Sequence, residues 1–290
     1  VLFSKTRLTL FILAALIGIA ALYWGFSLLA GPLLRVENGR RLGLDDFLSQ
    51  IGPHQIILVG EQHDNRHHHA HQLALIRELH EKAERPMAIG LEMFEAGDQQ
   101  VLDAWTGGKI TLKQFVTAYS RNWSIDWELY QDIFLYAREH KIPLIGLNAP
   151  RRIVQKVWQK GFAALNQQDL EQLPGQITCD VDGAYEAFIG KVYEWHGGRN
   201  FSFRSFCEAQ MLWDTTMAIN LLQFHARQPD YTIVVLAGNG HCWKPAIPRQ
   251  IRRRSDVPLS VILPETVKQN RFSVGTEDAD YLWLYNFLAL

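Results

Sequence analysis

The stretch Ile56–Ile76, IILVGEQHDNRHHHAHQLALI, decides the fold. Ile56-Ile57-Leu58-Val59 is a run of long or β-branched aliphatics, which suits a strand buried on both faces of a sheet. Gly60 lets the chain turn tightly as it leaves that sheet. Leu73, Leu75, Ile76 and Leu79 then fall near helical spacing. The segment reads strand, polar loop, helix, and the loop presents Glu61 and His63 two residues apart. In an open parallel sheet, ligands bind beyond the carboxyl ends of the strands.

The same grammar recurs. Met87-Ala88-Ile89-Gly90-Leu91 runs into Glu92, and Pro143-Leu144-Ile145-Gly146-Leu147 into Asn148, with Arg151 close behind. Tyr231–Ala237 runs into Gly238-Asn239-Gly240-His241. If these runs are parallel neighbours, Glu61, His63, Glu92, Asn148 and His241 converge on one crevice. Strands must end in something polar, but two glutamates and two histidines are a chemical selection that loops do not require. Leu259–Leu263 reads as a fifth strand and Tyr281–Tyr285 as an edge strand. Strands alternate with helices, so the expected class is α/β with a mainly parallel sheet flanked by helices. The polar residues 162–200, broken at Pro174-Gly175, read as a helical excursion.

At 290 residues, the chain suits an N-terminal segment followed by one large domain. Net charge near −1 gives no nucleic-acid footprint. Hydrophobics at 48%, with 15 Phe, 9 Trp and 9 Tyr, supply a substantial core and would suit a flat apolar ligand. Cys179, Cys207 and Cys242 show neither CxxC nor zinc-ribbon spacing.

Leu8–Leu34 carries no formal charge, and Lys5 and Arg7 precede it. As a helix at ~1.5 Å per residue it exceeds the roughly 30 Å hydrocarbon core. It reads as an N-terminal transmembrane helix, a signal anchor holding the globular part at the periplasmic side of a bacterial-type membrane. A cleaved signal giving a secreted form is the alternative. Residues 1–35 are thus assigned to the anchor and 36–290 to the α/β domain.

The crevice residues admit three chemistries. His63 and His241 with the glutamates could hold Mn, Co or Zn and activate water, Glu61 or Glu92 acting as base. A glutamate and a histidine could instead form a metal-free acid–base pair. Imidazoles or a tyrosine could also ligate haem iron in an aromatic pocket. His67 and His71 stack at i, i+4, while the stripe Trp127, Tyr130, Ile133, Phe134 and Ala137 reads mainly as core. No GxSxG, P-loop or GxGxxG motif supports other chemistry.

The pieces VGEQHDNRHHHAHQ (59–72), LEMFEAGDQQ (91–100), WELYQDIFLYAREHKIPLIGLNAPR (127–151), FCEAQMLWDTTMA (206–218) and VLAGNGHCWKPAIP (235–248) occur in order. Together they resemble the ChaN family of haem-binding uptake proteins, within the wider Tiki and erythromycin-esterase-like superfamily. The resemblance implies an α/β fold, haem as ligand, a homodimer enclosing haem, and a role in haem or iron uptake. It makes Glu61, His63, His67, Glu92, Tyr130, Asn148, Arg151 and His241 the candidate haem contacts. Superfamily relatives that use GxxH and a late histidine are metal-dependent proteases or esterases, and those positions here are Gly60–His63 and His241. The chain departs from the family in lacking an acylated cysteine and in carrying Cys242 beside His241.

Overall fold

The computed structural model describes residues 31–52, 55–82, 85–175, 177–195 and 202–285. The expected transmembrane helix falls on residues outside that set. Among the described residues, no helix is long and apolar enough to cross a membrane.

Eight strands form one sheet: β1 (Leu33–Arg35), β2 (Arg41–Leu42), β3 (Ile56–Glu61), β4 (Met87–Glu95), β5 (Leu144–Asn148), β6 (Thr232–Gly238), β7 (Leu259–Pro264) and β8 (Tyr281–Trp283). Their spatial order is β2-β1-β8-β7-β3-β6-β4-β5. The strands from β8 to β5 run parallel, and β1 and β2 add an antiparallel edge. Every residue of β3 and β6 is buried. That is why the sequence shows unbroken apolar runs there, where a half-exposed strand would alternate.

Two expectations change. Tyr281–Trp283 is not an edge strand, because β1 pairs along its free side, with Leu33 opposite Trp283. Leu33 and Leu34, counted in the uncharged N-terminal span, belong to the sheet and are 0% and 8% exposed. The folded unit therefore takes in residues assigned to the anchor.

One face of the sheet is covered by α1 (Leu44–Gln50), α2 (Arg66–Lys82), α3 (Gln99–Thr106), α4 (Leu112–Asn122) and α5 (Trp127–Glu139). Trp105, Phe115, Tyr130 and Phe134 fill that layer and are fully buried. The other face carries α6 (Arg151–Lys160), α7 (Gln167–Leu170), α8 (Gly183–Trp195) and α9 (Phe203–Arg227). Two short helices come after β6, α10 (Asn239–Cys242) and α11 (Ile247–Arg252). The excursion after residue 162 is α7 and α8, which pack around α9. Chain order and sheet order differ most around β6, which inserts between β3 and β4. The connections on its two sides diverge there, and the carboxyl ends open into a crevice.

Candidate functional site

Strand pairing sets Glu61, the last residue of β3, directly opposite Gly238, the last of β6. Glu92 lies one residue past the Leu91–Leu236 pair of β4 and β6. The pairing of β4 with β5 shifts register between Leu91 and Glu95. The neighbouring strands β3, β6 and β4 thus bring two carboxylates and a glycine to within one residue of the same level.

Glu61 is 2% exposed. A buried carboxylate is costly unless donors surround it, and this one has them. Tyr130 donates its phenol to Oε1, the His63 Nδ1 lies 2.8 Å from the same oxygen, and the Gln72 amide donates to Oε2 at 2.8 Å. The His69 Nε2 lies 3.6 Å from Oε2. Burial alone would push the Glu61 carboxyl up, but the His63 and His69 imidazoles override it and hold it below the usual carboxylate range. In return, burial pulls His63 down, while Glu61 and the charge of Glu92 lift it to about 9. Burial and the Glu61 charge push the Tyr130 phenol up, so it remains a donor.

His241, in α10, is the second pinned imidazole. Its Nδ1 lies 2.7 Å from Asp214 Oδ1, and the Tyr185 hydroxyl donates to Asp214 Oδ2 at 2.6 Å. Burial opposes protonation of His241, but Glu92 and Asp214 outweigh it and raise it. Burial likewise pushes the Asp214 carboxyl up against the pull of His241 and Tyr185. Glu92 sits between the two imidazoles. Its Oε2 accepts the Gly238 N–H at 2.6 Å, and its Oε1 is 3.6 Å from His241 Nε2. A Cβ at Gly238 would lie 2.9 Å from His63 Nε2 and 3.6 Å from Glu92 Oε2. Both imidazoles therefore have Nδ1 on a buried carboxylate, with His241 Nε2 toward Glu92 and the His63 ring beside Gly238. Such an arrangement fixes tautomers and can take up and return protons.

The remaining candidates lie around this centre. Asn148 donates to the Glu92 main-chain oxygen at 2.7 Å and also lines a cavity of about 670 Å³ with Glu95, Arg151, Arg152, Thr216 and Asn220. Arg151 is exposed at that cavity, and its backbone N–H donates to Glu95. It is not part of the crevice. His67 is exposed, with its ring edge on Tyr285. His68 is buried and accepts the Gln62 N–H, and His71 stacks on Trp283. Cys242 is buried with its thiol on the Ala237 carbonyl, a filler rather than a reactive group. Among the described residues, no group of three or more His, Cys, Asp or Glu side chains is arranged to hold a metal ion. The Mn, Co or Zn alternative gains no support.

Asp214, Tyr185, Gln72 and His69 join the site without having been expected there. Asp214 has a signal in the sequence, a lone carboxylate in the apolar run Met211-Leu212-Trp213-Asp214.

The solved structure of cofacial haem binding to ChaN of Campylobacter jejuni superposes with a TM-score of 0.68 at 19% identity, over 86% of this chain and 94% of that one. At that identity the likeness is one of fold. An erythromycin esterase mutant in its open conformation gives 0.48 at 16%, over 80% and 76%, and the type III effector HopBA1 gives 0.48 at 10%, over 83% and 92%. A sequence search of curated proteins finds no match. The family model for haem-binding uptake proteins of the Tiki superfamily, ChaN, matches residues 47–251, which include every crevice residue described above, and the chain belongs to that family.

Proposed function

We propose that the chain takes haem as cargo at the carboxyl end of its sheet and handles it at a bacterial envelope membrane, in haem or iron uptake. The observation that carries this reading is the family match over residues 47–251, which encloses the whole crevice. The donor set fits such a cargo. His63, 35% exposed at its side chain, and His67 are the accessible imidazoles at this end of the sheet. Trp123 packs edge-to-face with His63, ring centroids 5.0 Å apart, and its buried indole N–H lacks an acceptor that a propionate would supply. Arg151 offers a guanidinium at the adjoining cavity. Tyr130 does not fit an iron contact, since it is fully buried and committed to Glu61. Haem binds cofacially to ChaN of Campylobacter jejuni, which supports haem as the cargo. Titration of the purified chain with haemin should shift the Soret band and saturate stoichiometrically. A flat titration, with only the broad band of aggregated haemin, would overturn the reading.

The two carboxylate-pinned imidazoles near Glu92 favour a second reading, metal-free hydrolysis of a neutral acyl ester. Glu92 would take the proton from water and an imidazolium would protonate the leaving alcohol. Turnover of nitrophenyl esters in the presence of chelator, lost in Glu92→Gln, is the expected sign. No turnover above the variant would remove this reading and leave the haem reading standing.

A further inference from the structure

The loop from Glu265 to Asp280, between β7 and β8, lies at the same carboxyl end of the sheet. Val267 and Phe272 on it are 88% and 93% exposed, the most exposed large apolar side chains among the described residues. They do not sit on slack chain. Gln269, 2% exposed, accepts the Trp243 indole N–H at 3.0 Å and donates to the Pro264 carbonyl at 2.9 Å. Turns closed by Thr266 with Gln269 and by Asn270 with Ser273 hold the chain on either side. The fold therefore presents two apolar tips outward, with exposed Lys268 and Arg271 between them, Arg271 being paired to Glu265 at 3.3 Å.

The described chain begins beside this loop. Leu33 pairs with Trp283, and Trp283 with Pro264, so all three share one level of the sheet. Gly31 has φ +76°, and a Cβ there would lie 2.1 Å from the Leu42 carbonyl oxygen. Arg41 donates to the Gly31 carbonyl. Leu33 is thus two strand spacings from Pro264, about 10 Å. The chain preceding it, Leu8–Ala30, carries no formal charge.

We propose that the Glu265–Asp280 loop seats on an anionic lipid bilayer, with Val267 and Phe272 in the interfacial layer and Lys268 against the headgroups. Exposed apolar side chains flanked by cations are what an anionic interface recognises. A second copy of the chain is the other occupant, and the test below separates it from the bilayer. Docking here turns the crevice mouth toward the membrane, since Val59 pairs with Ile262 and Glu61 lies level with Pro264. What that means for an apolar macrocycle rests on the haem reading. The docking itself does not.

The test is nitroxide accessibility on the full chain reconstituted in vesicles of phosphatidylglycerol and phosphatidylethanolamine. Val267→Cys and Phe272→Cys carry the label, and Leu135→Cys, an exposed position on α5, serves as reference. The unsubstituted chain gives the background from its own three cysteines. At 267 and 272, collision with oxygen should exceed collision with a water-soluble nickel chelate several-fold relative to position 135. The contrast should shrink in phosphatidylcholine vesicles. Nickel accessibility at 267 and 272 equal to that at 135 would overturn the proposal. So would the same protection in detergent without vesicles, which would mean contact between copies of the chain.

Discussion

His241 and Asp214 form a buried pair, Nδ1 to Oδ1 at 2.7 Å, on two helices that meet only through the tertiary fold. The Tyr185 hydroxyl occupies the other Asp214 oxygen. The imidazole is therefore held from behind, with Nε2 facing Glu92. Glu61 holds His63 by Nδ1 in the same way, and the His63 ring lies beside Gly238, whose N–H donates to Glu92.

The first prediction tests the Asp214 support. Asp214→Asn keeps the size but removes the charge that, with Glu92, raises His241. Imidazole titration by NMR should show His241 titrating lower than in the parent chain. Urea unfolding should show a loss of about 1–3 kcal/mol, the usual cost of leaving a buried polar partner poorly satisfied. An unmoved His241 titration would show that Asp214 does not govern it.

The second concerns Glu61. Glu61→Gln removes the hydrogen-bonded carboxylate that lifts His63, so its titration should drop from about 9 toward the ordinary 6.5. Tyr130→Phe removes only a donor to Glu61, so His63 should stay raised while stability falls by roughly 1.5–3 kcal/mol, as for a hydrogen bond to a charged group. The two variants thus separate the charge from the scaffold that holds it. Equal His63 shifts in both would contradict that separation.

The third is a stability maximum in pH. Burial holds His68 and His71 at about 4 in the folded state, below the unfolded 6.5. Their contribution is present above 6.5 and is lost as pH falls toward 4. His63 has the opposite sign. Raised to about 9, it contributes fully below 6.5 and loses that contribution as pH rises through 9. Glu61, lowered, adds stability above its unfolded 4.5 and loses it in acid. The melting temperature should therefore peak near ~6.5, with the shallower fall on the basic side, because His63 is partly exposed and screened. His68→Gln should flatten the acid limb. A melting temperature still rising at pH 9 would refute the assignment.

How much of this is legible depends on where each residue sits in the chain. The central strands announce themselves because burial on both faces demands continuous apolar runs, and Glu61, His63, Glu92 and His241 are readable as the polar groups at the ends of such runs. β1 and β2 are not readable. Three and two residues carry no periodicity, and their pairing with Trp283 is a contact distant in sequence. Tyr130 belongs to an aromatic stripe that reads as core, and its ring is core. Only the fold shows that its hydroxyl reaches Glu61 across the α2–α5 layer. Asp214 and Tyr185 lie on helices, where the face that meets the crevice is set by packing of α8 and α9 and not by local pattern. Nearness to Asn148 in sequence suggests the crevice for Arg151. One helical step carries it to the neighbouring cavity instead.

The last prediction uses Gly238, which has φ −57°, a conformation open to any residue, so a substitution there tests space alone. An added methyl would stand 2.8 Å from His63 Cε1 and 2.9 Å from Nε2, closer than real Cβ contacts allow. The Glu92 Oε2, at 3.6 Å, could tolerate it. His63 is the movable partner, being partly exposed and at the end of a loop. Gly238→Ala should therefore displace the imidazole outward, stretch its bond to Glu61, and bring its titration down from about 9. The cost should be about 1–3 kcal/mol, as for other overpacked sites, and haemin affinity should change with it if His63 contacts the cargo. His241, shielded behind Glu92, should keep its Asp214 contact and its titration. An NMR titration in which His63 is unchanged, or in which His241 moves equally, would mean that Gly238 is not the floor beneath His63.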